Sequence, residues 1–321
     1  MIKKRLDTMG LSLSPLAIGC EPLGKTDWGS INISECKRAI QKAFEDGVNV
    51  FDTADVYGLG RSEKELSSAL GKNRHNAFII SKFGIKWQTN NKLKRAKTFK
   101  DSSPKYVQKA IENSLRRLRV ETIPLYLVHW PDNSTPLENT LLELEKARRS
   151  GKILNYGLSN FSDNELKNVV DKFPISAIQA PYNLAINNMK TKKLFNLAKS
   201  KGLSIFSYGP LAQGLLSGKY NENSKFGNND RRHRLKEFSR DNFKKSSNTL
   251  KAISSLAQKK KKSMSQIAIR WCIDSGYINS TIVGIKSREH YKINFNSIGW
   301  KLTFEEWKYL EKISIKNSII V

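Results

Sequence analysis

The chain has 321 residues, of which 39% are hydrophobic and 26% are charged. These fractions are ordinary for a globular protein and exclude an intrinsically disordered chain. The length suits one α/β barrel, which needs roughly 250 residues plus insertions. We therefore expect a single domain over residues 1–321.

The chain is strongly basic, because 56 Lys and Arg residues against 29 Asp and Glu residues give a net charge of +27. Such a charge attracts anions, so nucleic-acid binding has to be considered. The basic residues are spread along the chain, however, and form short runs only at 231–234 and 259–262. Since no nucleic-acid-binding module is recognisable, we interpret the charge as solvated surface and expect no specific nucleic-acid partner.

The three cysteines are Cys20, Cys36 and Cys272. Their odd number and the absence of CxxC spacing predict neither a disulfide framework nor a zinc site, and we expect no bound metal and a reducing, cytoplasmic location. Residues 1–20 superficially imitate a lipoprotein signal, but polar residues and Pro15 interrupt the apolar region that a signal requires. No run of about 18 apolar residues occurs, so no membrane partner is expected.

Short apolar runs alternate with amphipathic helical stretches along the chain, which is typical of parallel strands joined by crossover helices. The predicted strands are 16–19, 48–52, 77–81, 125–129, 155–157, 177–179, 204–207 and 281–283. Eight such strands favour a closed (β/α)8 TIM barrel within the α/β class.

Helix starts are predicted from reciprocal capping boxes, in which a Ser or Thr precedes a Glu by three residues. The pairs are Ser62 with Glu65, Thr135 with Glu138, Ser162 with Glu165, and Thr303 with Glu306. Apolar residues at helical spacing predict buried stripes at Cys36, Ile40, Ala43 and Phe44, and at Val107, Ala110, Ile111, Ser114 and Leu118. Segments 85–103 and 220–245 do not show the alternation of apolar strands and amphipathic helices, and they are predicted as long loops on the catalytic face.

Four ionisable residues follow predicted strands: Asp52, Tyr57, Lys82 and His129. In a barrel, the loops after the strands converge on one mouth, so these side chains are candidates for acid–base chemistry. An unperturbed tyrosine, with a pKa of ~10, is a weak acid at neutral pH. Lys82 is expected to favour the tyrosinate and Asp52 to hold Lys82 protonated, while a neutral His129 would hydrogen-bond the substrate oxygen.

The segments around these residues resemble the signatures of the aldo-keto reductase superfamily, namely FDTADVYG at 51–58, SKFG at 81–84 and LVHWPD at 127–132. The resemblance implies that Asp52, Tyr57, Lys82 and His129 are the catalytic tetrad, with Tyr57 as the general acid for carbonyl reduction. It also implies that a nicotinamide cofactor delivers the hydride.

The resemblance covers nearly the whole chain, beginning with an N-terminal hairpin at 5–16 that would plug the barrel bottom. It implies that Ser159, Asn160 and Gln179 bind the nicotinamide carboxamide and that Tyr208 stacks on the ring. The segment after Tyr208 resembles a loop over the pyrophosphate, with contacts from Gly209, Pro210, Leu211, Gln213, Gly214 and Lys219.

The segment after the eighth strand resembles the family's adenosine-phosphate site. Lys286 and Ser287 are placed to bind a 2′-phosphate at a helix N-terminus, which favours NADPH (NADP+) over NADH. Gly284, His290 and Asn294 complete the implied contacts. His290 and Ile293 depart from the family's usual residues there.

Trp28, Trp87 and Trp130 are candidate substrate-binding residues and predict a cleft that tolerates aromatic groups. Residues 23–29 and the insertion 220–245 resemble the general aldehyde reductase branch, which is also similar to potassium-channel β-subunits. We therefore predict an NADPH-dependent reductase of aldehydes or ketones. The alternative is an NADP(H)-binding regulatory or channel-associated subunit with little turnover.

A Rossmann fingerprint at Gly58-Leu59-Gly60 is rejected, because Glu63 occupies the third glycine's position. The sequence does not decide between a monomer and a homo-oligomer.

Overall fold

A computed structural model describes residues 4–6, 9–88 and 96–319. The strands are β1 Lys4–Leu6, β2 Leu11–Leu13, β3 Leu16–Gly19, β4 Val50–Asp52, β5 Phe78–Phe83, β6 Ile85–Gln88, β7 Lys97–Lys100, β8 Ile123–Val128, β9 Ile153–Ser159, β10 Ala177–Pro181, β11 Ser204–Tyr208 and β12 Ser280–Gly284. The α-helices are α1 Ile33–Glu45, α2 Arg61–Leu70, α3 Pro104–Leu118, α4 Leu137–Arg149, α5 Asp163–Val169, α6 Met189–Ser200, α7 Arg240–Lys260, α8 Met264–Ile273, α9 Arg288–Phe295 and α10 Phe304–Lys316. Within these described ranges, none of the helices combines the length and the apolar character needed to cross a membrane.

Eight strands close into a parallel barrel in the order β3, β4, β5, β8, β9, β10, β11, β12, with β12 pairing back to β3. Each predicted strand is present, with ends that differ by up to two residues on either side. The (β/α)8 class is therefore confirmed. Because all the strands run in the same direction, their carboxyl ends form one mouth.

The N-terminal hairpin formed by β1 and β2 lies at the opposite end of the barrel. Leu13 is 2% exposed and belongs to an apolar cluster inside the barrel with residues near the strand starts, among them Ala17, Val50 and Phe78. Met9 packs against the same cluster. The hairpin therefore closes the barrel bottom, as expected, and leaves the carboxyl ends as the open face.

The helices pack their predicted stripes against the barrel. In α3 all five stripe residues are buried, and in α1 Cys36, Ile40 and Ala43 are buried while Phe44 is half-buried. The pattern works because side chains three and four residues apart share one face of a helix.

Two of the four predicted capping boxes are confirmed, those of Ser162 and Thr303. The box at Ser62 is wrong, because α2 begins after Gly60 and the buried Ser62 hydroxyl instead donates to the Cys20 carbonyl oxygen (2.7 Å). The box at Thr135 is also wrong, because α4 begins after Pro136 and the Thr135 hydroxyl donates to Asp132 (2.9 Å). In both cases a tertiary or turn contact takes the hydroxyl that a cap would need.

The two segments predicted as loops contain more structure than expected. Segment 85–103 forms the antiparallel hairpin of β6 and β7, while residues 89–95 lie outside the described part. Segment 220–245 contains two short 3₁₀ helices, Arg231–Arg234 and Lys236–Phe238, and its end belongs to α7. The loop prediction failed at α7 because this helix begins in a strongly polar stretch that gave no apolar stripe.

Candidate active site

The four candidate catalytic residues lie at the carboxyl ends of three neighbouring strands. Asp52 ends β4, and Tyr57 lies in the turn that follows. Lys82 is the penultimate residue of β5, and His129 directly follows β8. The order of the barrel strands places all four on one side of the mouth.

Lys82 and Asp52 form a buried ion pair. The Lys82 ammonium, in a residue that is 1% exposed, donates to Asp52 Oδ1 (2.7 Å) and to the Thr53 carbonyl oxygen (2.8 Å). Asp52 Oδ2 accepts from the Gln179 side-chain amide (2.8 Å). A charge removed from water needs such partners, and these hydrogen bonds also fix the direction of the Lys82 ammonium.

The Tyr57 ring lies close to both this ammonium and the His129 ring. Lys82 Nζ is 5.1 Å from the ring centroid, and the His129 ring is 5.7 Å away in an edge-to-face arrangement at 81°. The turn that carries Tyr57 packs on Gly24, and Gly58 has a φ of +59°. A Cβ on Gly58 would overlap the Gly24 backbone, so this turn requires glycine.

The protonation states follow from burial. Desolvation, followed by the nearby Glu21 and Asp52 carboxylates, raises the pKa of Tyr57 well above its ordinary value. The Arg231 guanidinium lowers this pKa, but burial outweighs its effect. Desolvation and then Lys82 hold the pKa of His129 well below its ordinary value. The site thus presents a protonated phenol and a neutral imidazole at neutral pH.

The predicted carboxamide-binding residues form a hydrogen-bonded chain beside the tetrad. Tyr208 Oη donates to Asn160 Oδ1 (2.6 Å), and Asn160 Nδ2 donates to Ser159 Oγ (3.1 Å). Ser159 Oγ in turn donates to Gln179 Oε1 (3.4 Å). The structure therefore brings these residues together, at the ends of β9 and β11 and in the middle of β10. It also gives Gln179 a direct contact with Asp52 that the sequence did not suggest.

The segment predicted to cover a pyrophosphate follows β11 without interruption. Its 3₁₀ helix, Ala212–Ser217, is broken by positive φ angles at Gln213 (58°) and Gly214 (103°). A Cβ on Gly214 would lie 3.0 Å from the Tyr220 ring, so this bend favours glycine. The remaining predicted residues here and at the end of β12 are Gly209, Pro210, Leu211, Lys219 and Gly284.

Basic residues gather at the predicted adenosine-phosphate end. Lys286 Nζ donates to the Trp28 carbonyl oxygen (2.7 Å), and burial followed by Arg232 lowers its pKa. Burial, then Lys219 and Lys286, lowers the pKa of His290. Positive charges that lie close together repel one another, and this repulsion favours loss of a proton. A bound anion would offset the repulsion, so these residues fit a phosphate group.

The start of α9 completes this end of the site. Ser287 is the N-cap of the helix, and its hydroxyl accepts from the His290 backbone N–H (3.2 Å). Asn294, on the same helix, is buried. The structure therefore places the predicted 2′-phosphate residues at a helix N-terminus, where the aligned backbone dipoles favour an anion.

The three candidate substrate-binding tryptophans do not form one cluster of contacts. Trp130 is 40% exposed, and its ring lies 6.5 Å from that of His129. Trp87 lies on the hairpin strand β6. Trp28 instead contacts two cations, with Lys286 Nζ 5.3 Å and the Arg231 guanidinium 4.8 Å from its ring centroid.

Three arginines of the basic run 231–234 form ion pairs with acidic residues. Arg231 pairs with Glu21, Arg232 with Asp230, and Arg234 with Asp27. The Arg231 backbone N–H also donates to the Asp27 carbonyl oxygen (3.0 Å). Two of the acidic partners lie about 200 positions earlier in the chain, so no local pattern could have revealed these contacts.

A closed parallel barrel that holds a buried ammonium–carboxylate pair, a phenol and an imidazole at its carboxyl end has the architecture of a barrel oxidoreductase. The sequence matches the aldo/keto reductase family over residues 15–315. It is 30% identical over 313 residues to aldo-keto reductase YhdN of Bacillus subtilis, covering 97% of this chain and 92% of that protein. It is also 30% identical to the chloroplastic pyridoxal reductase of Arabidopsis thaliana, covering 94% of this chain and 83% of that protein.

The fold comparison agrees with the sequence comparison. A glycerol dehydrogenase of Gluconobacter oxydans superposes with a TM-score of 0.89 at 34% identity, covering 99% of this chain and 98% of that structure. The protein therefore belongs to the aldo/keto reductase family. This family consists of oxidoreductases that act on carbonyl compounds with a nicotinamide cofactor.

Proposed function

We propose that this protein is an NADPH-dependent reductase of aldehydes or ketones in which Tyr57 donates the proton to the carbonyl oxygen. The observation that carries the proposal is the buried Lys82–Asp52 pair beside the ring of Tyr57. A structural ion pair alone would not need a phenol and a neutral imidazole at the open end of the barrel.

In this proposal the carbonyl oxygen of the substrate lies between Tyr57 and His129. His129 Nδ1 is buried without a hydrogen-bond partner among the described residues. The proton of the neutral ring is therefore better placed on Nε2, from which it would donate to the substrate oxygen. Tyr57 transfers its proton to that oxygen as negative charge develops, and the fixed Lys82 ammonium stabilises the tyrosinate that is left.

The cofactor would be held along the remaining strand ends. Ser159, Asn160 and Gln179 would bind the carboxamide, Tyr208 the ring, the segment 209–219 the pyrophosphate, and Lys286 with Ser287 the 2′-phosphate. When bound, NADPH supplies the hydride for the carbonyl carbon. The basic end formed by Lys219, Lys286 and His290 supports a phosphorylated ribose at this position.

A panel of aldehydes and ketones tests the proposal, with NADPH oxidation followed by absorbance. We expect turnover with several members of the panel. If NADPH binds but no member is reduced, the alternative of a regulatory subunit with little turnover replaces the reductase.

Replacing Lys286 tests the assignment of the 2′-phosphate. We expect Lys286→Ala to raise the dissociation constant of NADPH by about tenfold or more, because a charge-assisted contact contributes roughly 1.5–3 kcal/mol. NADH lacks the 2′-phosphate, so its affinity should change little. Fluorescence titration with both cofactors measures the difference.

Lys292→Ala is the matched control, because Lys292 is an exposed lysine on the same helix. It should leave both affinities unchanged. Equal weakening of NADPH and NADH by Lys286→Ala would contradict the assignment.

A further inference from the structure

The β6–β7 hairpin carries a lysine close to the mouth of the barrel. The register pairs Ile85 with Lys100 and Trp87 with Thr98. Side chains that are directly opposite in an antiparallel pair share a face, as do their neighbours two positions along. Lys100 and Trp87 therefore lie on one face of the hairpin. Lys97 lies on the other face, where its Nζ is 5.7 Å from the Phe99 ring.

Lys100 extends from the hairpin over the ring of Trp130, the residue that follows the candidate catalytic histidine. Its Nζ lies 5.9 Å from the centroid of the exposed Trp130 ring. The Trp130 and His129 rings are 6.5 Å apart and inclined by 28°. A cation thus lies over an aromatic side chain that adjoins the position proposed for the carbonyl group.

The carboxylates next to this lysine are engaged elsewhere. Asp101 accepts from Ser103 through Oδ1 and from Lys86 through Oδ2 (3.2 Å). Asp132 accepts from Ser134 through Oδ1. Its Oδ2 accepts from the Ser102 backbone N–H (2.8 Å) and from the Thr135 hydroxyl.

Lys100 itself has no ion-pair partner in the described part of the chain. Its positive charge is therefore available to a group that enters the mouth. An anionic oxygen is the ligand that a lysine ammonium group prefers.

We propose that Lys100 is a specificity-determining residue that binds an anionic group of the substrate, so that carbonyl compounds bearing a carboxylate or a phosphate are preferred over neutral ones. This inference rests on the proposed reductase function. The separations from Nζ to the Trp130 ring and from that ring to the His129 ring leave room for several bonds between the anion and the carbonyl. An aromatic aldehyde with its acid group on the far side of the ring fits this spacing.

The test compares 4-carboxybenzaldehyde with benzaldehyde, and glyceraldehyde 3-phosphate with glyceraldehyde. The effects of a carboxylate and of a phosphate on kcat/KM are thereby measured separately. Wild type, Lys100→Met and Lys97→Met are assayed at low and high salt. Methionine keeps most of the lysine stem and removes the charge. Lys97→Met is the matched control, because it removes the same charge from the other face of the hairpin.

We expect wild type to have a higher kcat/KM for at least one anionic substrate than for its neutral partner at low salt. Lys100→Met should lower kcat/KM for that substrate about fivefold through KM, which corresponds to about 1 kcal/mol, the upper end for an exposed charge pair. Benzaldehyde and glyceraldehyde should change by less than about twofold, and added salt should reduce the wild-type preference. Lys97→Met should resemble wild type.

Two results would overturn the inference while leaving the reductase intact. One is a wild type that turns over neutral substrates as well as anionic ones. The other is an equal effect of Lys97→Met and Lys100→Met, which would indicate diffuse surface charge rather than a binding residue. Absence of turnover with every substrate would overturn the proposed function itself, and this inference with it.

Discussion

Tyr57→Phe is expected to lower kcat for carbonyl reduction by about 10²- to 10⁴-fold, the usual contribution of a positioned general acid. The substitution keeps the ring that packs against His129 and below Lys82, and it removes only the hydroxyl proton. The pKa of this phenol is raised by burial, so the group keeps its proton at neutral pH until negative charge develops on the carbonyl oxygen. Steady-state kinetics with an aldehyde that the wild type reduces measures the loss.

Two controls separate lost chemistry from lost structure. NADPH should bind to Tyr57→Phe with nearly wild-type affinity in a fluorescence titration, because the phenol is not among the proposed cofactor contacts. Tyr106→Phe removes another tyrosine hydroxyl near the mouth, whose contacts with Asp55 and Ile85 are long at 3.4 Å, and should keep kcat within about twofold. A Tyr57→Phe enzyme with unchanged kcat would remove Tyr57 from the mechanism.

The barrel could be predicted from the sequence because its strands are buried on both faces. Such strands appear as short apolar runs, and eight of them separated by amphipathic helices leave few alternatives. The strand ends were predicted less accurately: the run predicted at 155–157 is the strand Ile153–Ser159, in which Asn155 is a polar residue between apolar ones. Asn155 is tolerated because its side chain donates to the Pro124 carbonyl oxygen (3.2 Å) and accepts from Ser176.

The candidate catalytic residues could also be predicted, since strand-end polar groups in a barrel converge on one mouth. What the sequence could not show is how each group is supported. Gln179 reaches Asp52 across 127 positions, and Arg231 reaches Glu21 across 210. Contacts of this kind depend on the closure of the barrel and on long loops, which leave no local periodicity.

Glu63 is the clearest case of a residue whose role was missed. In the sequence it served only to reject a dinucleotide-binding fingerprint. In the structure it is completely buried, and its carboxylate accepts from Ser81 Oγ (2.6 Å) and Arg117 Nε (2.5 Å). Because Ser81 precedes Lys82 and Arg117 packs on Gly60, this carboxylate joins the strand of Lys82 to the start of the helix after Tyr57. We infer that it supports both elements.

Arg117→Met is therefore expected to lower the free energy of unfolding by about 3–5 kcal/mol, the cost of removing one partner from a buried ion pair. The Glu63 carboxylate would be left without its cation beside Asp55, a second buried carboxyl group. Burial and Glu63 raise the pKa of Asp55, whereas Arg117 lowers it. Urea unfolding at neutral pH measures the loss.

The pH dependence of that loss distinguishes this electrostatic explanation from a simple loss of packing. Without Arg117 the pKa of Asp55 in the folded state rises further above its unfolded value, so the folded state retains a proton that the unfolded state releases. In both proteins stability falls with pH from the ordinary aspartate pKa of about 4 up to the folded pKa of Asp55, and in the variant it continues to fall to a higher pH. The deficit of the variant should therefore increase once the pH exceeds the wild-type folded pKa, and unfolding at about pH 5 and at about pH 9 compares the two conditions. Arg116→Met, which removes an exposed arginine that donates to Asn113, should change stability by about 0.5 kcal/mol or less at both pH values. An Arg117→Met protein as stable as this control would show that Glu63 does not depend on its arginine.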